Sequence, residues 1–266
     1  MSPLLNTAVG AARAAGDFIM RHYQQADQLK VTTKQANDFV SEVDRSAEAI
    51  ILDRIHRAYP SHAILAEESG EHGKNNIQWI IDPLDGTTNF LHRNPQFAVS
   101  IAARDRTELE IAVIYAPFTQ ELFTAMRGSG AQLDGRRIRV SNTAKLSESL
   151  IGTGFPYRHD QDIDAYLPML KAVMQNTAGV RRPGAAALDL AYVAAGRLDG
   201  FWEQGLQPWD IAAGALLVRE AGGRITDLSD ARTDVVNSGN VLAGNQKIHA
   251  ELERLLQPLL PKSEED

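Results

Sequence analysis

The chain has 266 residues, no cysteine and a formal net charge of −7, and 44% of it is hydrophobic. That is enough apolar material for a substantial core in one large domain or two closely packed ones, while the missing cysteine excludes disulfides, thiolate nucleophiles and thiolate zinc sites, leaving oxygen or imidazole to hold any metal. The acidic balance argues against a strong nucleic-acid surface, which needs a basic excess to displace counterions from phosphates, and suits a protein that gathers carboxylates around cations.

Leu4, Leu5, Ala8, Val9, Ala12, Ala15 and Ile19 recur at helical spacing, so residues 3–25 are expected to open the chain as an amphipathic helix. Arg13 and Asp17 interrupt its apolar pattern, and no stretch reaches the roughly 18 apolar residues of a membrane span; the expectation is a soluble, unexported, cytoplasmic protein. A polar loop, "KVTTKQAND", precedes a second helix expected from about Ser41 to Tyr59, which buries Val43, Ala47, Ile50, Ile51 and Ile55 and stops at Pro60. "AILAEES" and "QWIIDPLDG" read as short buried strands ending in acids, and "FAVSIAARD", "ELEIAVIYAP" and "ELFTAMRG" as their neighbours, with "LDGRRI" a turn. "IGTGFPY" leads from a strand to a helix near 160–176, "AAALDLAYVAAG" is a helix stopped by Gly196, and "GFWEQ" is a short strand. "PWDIAAGALLVREAGG" is a helix with Pro208 in its first turn, followed by a last strand "NVLAGN" and the helix "KIHAELERLLQPLL". Such irregular interleaving, without a repeat or a long linker, predicts a layered α/β (α+β) architecture over residues 1–266, with two packed halves meeting near 145–150 and a frayed tail at 261–266.

The stretch "IDPLDGTTNF" carries the chemistry. Asp82 and Asp85 come at the end of an apolar strand, where side chains converge on a cleft, and Pro83 stiffens the turn and removes a backbone donor. The loop therefore presents oxygens, two carboxylates and the Leu84 carbonyl, a hard set that suits Mg2+ or Mn2+ over zinc or copper. Gly86 permits close backbone approach, and Thr87 and Thr88 offer amides and hydroxyls at a helix start, where anions such as phosphate bind. The alternative is ordinary turn chemistry, with Asp82 closing a turn and Asp85 capping a helix. Two other acids invite the same pair of readings: Glu67 in "LAEESGE" is a ligand or a solvated strand end, and Asp210 in "LQPWDIAAG" a ligand or a helix cap.

Glu67 in "EES", "DPLDGTTNF" and "PWDIAAGALLVREAGG", in that order and at roughly those distances, resemble the signatures of the inositol monophosphatase family, and "NDFVSEVD" and "GAAALDLAYVAAGRLDGFWE" extend the likeness over about residues 4–255, most closely to bacterial members. The resemblance implies an α/β/α/β/α sandwich, a homodimer, two to three Mg2+ per site and lithium-sensitive hydrolysis of myo-inositol 1-phosphate by a metal-activated water. It implies a first metal on Glu67, Asp82 and the Leu84 carbonyl, a second on Asp82, Asp85 and Asp210, and a third, weaker one on Glu67 with waters. Four carboxylates and a phosphate dianion carry −6, which three Mg2+ balance and two leave at −2. By the same resemblance Thr87, hydrogen-bonded to Asp44, orients and helps deprotonate the water, although Asp44 also suits the cap of a helix beginning near Ser46. The amides of Gly86 and Thr87 would bind phosphate, while Gly184, Ala185, Ala186, Glu203 and Asp210 would contact the substrate. Many members have serine or threonine where this chain has Ala185, which removes one polar contact and loosens the substrate assignment.

Lys34 resembles a lysine of the family's mobile segment near the third metal, and reads equally as an exposed loop lysine. Relatives within the fold act on fructose 1,6-bisphosphate, 3′-phosphoadenosine 5′-phosphate or NADP, and some bacterial relatives join transcription antitermination complexes on ribosomal RNA through a face bearing arginines near Arg182. None of the seven histidines forms a metal pair, and His92 reads as a surface or outer residue.

Overall fold

The apolar stripe of residues 3–25 becomes helix α1 (Pro3–Gln25), and α2 (Thr33–Ala58) packs along it, joining Leu5, Ala8, Ala12, Ala15 and Ile19 to Val43, Ala47, Ile51 and Ile55 in one buried cluster. The computed structural model describes residues 2–25, 33–156 and 162–260; the side chains of residues 24–25 and 33–41 lie outside that description, as does the tail at 261–266. The expected polar loop is overturned over its second part: α2 begins at Thr33, so residues 33–38 are helical and only 30–32 lie outside the described backbone. Nothing in that stretch breaks a helix. Its Thr, Lys, Gln, Ala and Asn lack only an apolar face, and periodicity alone is blind to a helical turn that extends past the core.

Eight strands follow as one sheet: β1 (Ala63–Ala66), β2 (Gly70–His72), β3 (Ile77–Asp85), then after the short helix α3 (Thr87–Leu91) β4 (Ala98–Asp105), β5 (Glu108–Ala116), β6 (Glu121–Met126), β7 (Gly130–Leu133) and β8 (Arg136–Arg137). Their order is β2-β1-β3-β4-β5-β6-β7-β8, antiparallel except for the parallel pair β1–β3. The second sheet holds β9 (Leu150–Thr153), β10 (Gly179–Arg181), β11 (Gly200–Glu203), β12 (Arg224–Asp227) and β13 (Val241–Gly244) in the order β10-β9-β11-β13-β12. Its helices are α4 (Ile163–Asn176), α5 (Ala186–Ala194), α6 (Pro208–Glu220), α7 (Val235–Ser238) and α8 (Gln246–Leu256).

The layers follow from which faces are apolar. Helices α1 and α2 cover one face of the first sheet. Helices α5 and α6 are buried nearly all round, as a helix between two sheets must be, and fill the space between the sheets with Leu188, Leu190, Ile211, Leu216 and Leu217. Helices α4 and α8 close the far face of the second sheet over Met169, Val173, Trp202, Ile248 and Leu252. The result is the expected α/β/α/β/α sandwich. β2, β10, β12 and α7 were not legible as elements: each is four residues or fewer and held by neighbours rather than by its own pattern. Among the described residues no helix is long and apolar enough to cross a membrane.

Candidate active site

Three elements converge at the carboxyl end of β3. The strand runs as a central member of the first sheet, so its last residues, Asp82 and Asp85, are buried at 2% and 8% exposure between β4 and the helices of the middle layer. Asp82 does close a turn, its Oδ1 accepting from the Leu84 amide at 2.9 Å. Asp85 does cap a helix, but a distant one: its Oδ2 accepts from the Ala187 amide at 2.9 Å, and its carboxylate also takes the Leu188 amide, both in the first turn of α5. The residue at that helix's own cap position is Ala185, which has no side chain to offer, so the carboxylate from β3 takes the cap's place.

Asp210 arrives from the first turn of α6, where its Oδ2 accepts from the Gln207 amide at 2.8 Å. The helix is tethered to the first sheet by the Ser100 hydroxyl, which donates to the Trp209 carbonyl at 3.1 Å, and Ser100 is the partner of Asp82 in the β3–β4 ladder. Capping and ligation are therefore not alternatives for these acids. Asp82, Asp85 and Asp210 each accept from a backbone amide and still bring carboxylate oxygens within 4.8 Å of one another.

Glu67 follows β1, the parallel neighbour of β3, and its carboxyl lies beside that of Asp82, although it is not one of the three acids whose oxygens all lie within 4.8 Å of one another. Although Glu67 reaches solvent on one side, burial by the surrounding protein, reinforced by Asp210, Glu68 and Glu48, pushes it up to about 7 against the lowering effect of the Asp82 carboxyl. Burial also raises Asp82 strongly and Asp85 to about 8, with the neighbouring acids adding to both. Uncompensated acids at this density hold protons at neutral pH. The set is all oxygen, partly committed and mutually repelling, which is what a hard divalent cation relieves.

Asp44 is 7% exposed on α2, and its Oδ1 has no partner among the described residues. Burial first, then Glu67 and Glu68, push it up to about 8. Because α2 starts at Thr33, Asp44 stands inside the helix and the capping alternative falls away. The expected Thr87–Asp44 hydrogen bond is not made: the Thr87 hydroxyl donates to the Leu84 carbonyl at 3.1 Å. At the start of α3 Gly86 has φ 87°, and a Cβ there would sit 2.6 Å from the Gln96 carbonyl, so only glycine fits.

The loop with Gly184, Ala185 and Ala186 is held against α3 by Asn89, whose amide donates to the carbonyls of Gln96 (2.7 Å), Pro183 (2.9 Å) and Gly184 (3.2 Å). Glu203, at the end of β11, lies over Gly154. Between Glu203 and Asp85 sits Asp189 of α5, 1% exposed and raised strongly by burial and by those two acids, against the lowering field of Arg182. Arg182 itself is exposed, over the Phe155 ring at 5.3 Å. The side chain of Lys34 lies outside the described residues, and His92 is an exposed residue. Asn89, Ser100, Gly154 and Asp189 escaped the sequence reading. A lone serine in an apolar strand and a lone acid in an alanine-rich helix were the available signals, and neither says which partner it meets.

The inositol monophosphatase family model matches residues 1–260. The chain belongs to the inositol monophosphatase family. Among relatives, the Nus factor SuhB of Pseudomonas aeruginosa is 51% identical over 270 residues, covering 99% of each chain. The crystal structure of the extragenic suppressor protein suhB from Bartonella henselae shares 48% identity and a TM-score of 0.89, covering 96% of this chain and 99% of that one. The inositol monophosphatase from Anabaena sp. PCC 7120 shares 42% identity and a TM-score of 0.87, covering 97% and 96%. Membership of this phosphatase family supports a metal-dependent phosphatase, in keeping with the acidic cluster of Asp82, Asp85 and Asp210.

Proposed function

We propose that this chain hydrolyses myo-inositol 1-phosphate to myo-inositol and phosphate, using Mg2+ held by Glu67, Asp82, Asp85, Asp210 and the Leu84 carbonyl. The observation that carries the reading is the convergence of Asp82, Asp85 and Asp210 from two separated elements in a member of a phosphatase family. Bound there, Mg2+ supplies positive charge for the phosphate oxygens and acidity for the attacking water. Asp44 takes the proton of that water through its unpartnered Oδ1 as the new P–O bond forms. Thr87 holds the Leu84 carbonyl in place, and its amide with that of Gly86 binds the phosphate. Glu203 and the Gly184–Ala186 loop take the polyol, whose ester oxygen leaves with the phosphorus–oxygen bond broken and gains a proton. Phosphate release from myo-inositol 1-phosphate across a Mg2+ titration, with and without Li+, tests this, with Asp85→Asn as the blank. Metal-dependent release that the variant loses supports it; release that persists in the variant removes Asp85 from the site. Fructose 1,6-bisphosphate, 3′-phosphoadenosine 5′-phosphate and NADP, tried in the same assay, decide the substrate class.

A second reading has its own observation. Ile163, Leu167 and Met174 stand exposed along α4 beside a cleft of about 340 Å³ lined by Phe155, Leu170, Val180 and Arg182, at the open edge formed by β10. Relatives bearing the name Nus factor support a role for this chain in an antitermination complex; the face is assigned to it because it is exposed and apolar, and the same property suits a homodimer. Capture of transcription proteins from cell extract by the wild type but not by Arg182→Ala supports the first role, and equal recovery counts against it. Light scattering on the purified chain decides the second.

A further inference from the structure

We propose that Glu48 is a positioning residue: from α2 it grips the backbone of the turn that carries Glu67 and so holds the Glu67 carboxylate over Asp82. The inference rests on reading Glu67 as a metal ligand. Glu48 is 3% exposed, on a helix face otherwise buried through Val43, Ala47 and Ile51, where a carboxylate is costly unless it makes a specific bond. Its Oε2 accepts from the Glu68 amide at 2.9 Å. That amide lies past the end of the β1–β3 ladder. The Glu67 amide donates to the Ile81 carbonyl at 3.1 Å as the last rung between β1 and β3, and the chain then turns away into β2. β2 is a three-residue edge strand with mostly exposed side chains, a weak anchor for the far side of the turn. Glu67 is thus fixed on one side by the sheet and on the other by Glu48.

Asp44 and Glu48 are one helical turn apart, so the same face of α2 presents the proposed proton acceptor and the clamp on the ligand-bearing turn. A shift of α2 moves both together. Outer partners of metal ligands of this kind alter metal affinity by roughly 10–100-fold when removed.

Glu48→Ala deletes the acceptor, Glu48→Met deletes it while keeping volume, and Glu48→Gln keeps an oxygen for the Glu68 amide while losing the charge. Mn2+ binding to each metal-free protein by calorimetry, without substrate, is compared with turnover across a Mg2+ titration, and far-ultraviolet dichroism checks the fold. The expected result is Mn2+ affinity about tenfold weaker in the Met and Ala variants and restored to within about threefold by Gln, with turnover recovering at high Mg2+. Wild-type affinity in a folded Met or Ala variant overturns the proposal. So does a Gln variant as weak as Met, which would make charge, not the hydrogen bond, the contribution of Glu48. The phosphatase reading fails separately, if the wild type binds Mn2+ and releases no phosphate. A wild type that binds no Mn2+ overturns both.

Discussion

Position 154 is glycine because another residue's charge already fills its space: a Cβ built there would lie 1.8 Å from Oε1 of Glu203. The obstructed atom is the far end of a flexible side chain, so Gly154→Ala is expected to displace the carboxylate and leave stability within about 1 kcal/mol. If Glu203 contacts the polyol, KM for inositol phosphate should rise by about tenfold, the worth of one hydrogen bond to a charged group, with kcat less affected. Unchanged KM with a folded protein would remove Glu203 from the substrate pocket. At the metal centre, Asp85→Asn should lower turnover by more than the roughly 10–100-fold that loss of an outer partner costs, since it also weakens the cap on α5. Residues at this scale were legible when their motif was local. "DPLDGTT" announces itself within a few positions, whereas the importance of Gly154, Asn89 and Glu48 lies in partners far along the chain, which no window of sequence contains.

Among the elements, α5 and α6 set the distance between the two sheets. Gly214 of α6 faces Leu190 of α5 so closely that an added Cβ would lie 2.5 Å from the leucine side chain. Gly214→Ala must push the helices apart or force Leu190 off its rotamer, and a loss of about 1–3 kcal/mol is expected, readable as a lowered Tm. An unchanged Tm would mean that the middle layer is looser than its burial implies. The same two helices contribute Asp210 and the amides that hold Asp85, so the variant should also weaken Mg2+ activation. Helices with strong apolar periodicity were read within a few residues of their ends. The start of α2 was not, because its first turns carry no apolar stripe for a sequence pattern to follow.

For the whole molecule, the clustered acids make stability depend on pH and on metal. Asp44 and Asp85 are raised to about 8 and Glu67 to about 7, each mainly by burial, whereas unfolded carboxylates titrate near ~4. Below the unfolded value both states are protonated and nothing is lost; above it the unfolded chain releases protons that the native state retains, so stability falls as pH rises until the folded values are passed. Two histidines act oppositely at lower pH: His249 is lowered to about 4 and His62 is lowered, both by burial, so their effects are complete near neutrality. Between pH ~6.5 and ~8.5 the metal-free protein should therefore lose Tm as pH rises, and Mg2+, which binds the deprotonated acids, should restore it increasingly. Thermal melts in chelator and in Mg2+ across that range are the check; a metal-free Tm that is level or climbs would contradict the clustering of these charges.

What the amino-acid sequence determined alone is the chemistry and the class of fold. Hard oxygen ligands beside a glycine-threonine turn are a local pattern, and apolar runs fix which faces must be buried, hence a layered α/β class, while the order of the layers came from the family resemblance and from the packing itself. Tertiary structure decided how each acid divides its oxygens. Asp85 caps a helix that begins 101 residues later, Asp210 caps its own, and Glu48 holds a turn from another layer. These pairings depend on distances set by packing between layers. A buried carboxylate takes whichever amide the fold leaves unpaired beside it, and only the assembled layers show which amide that is.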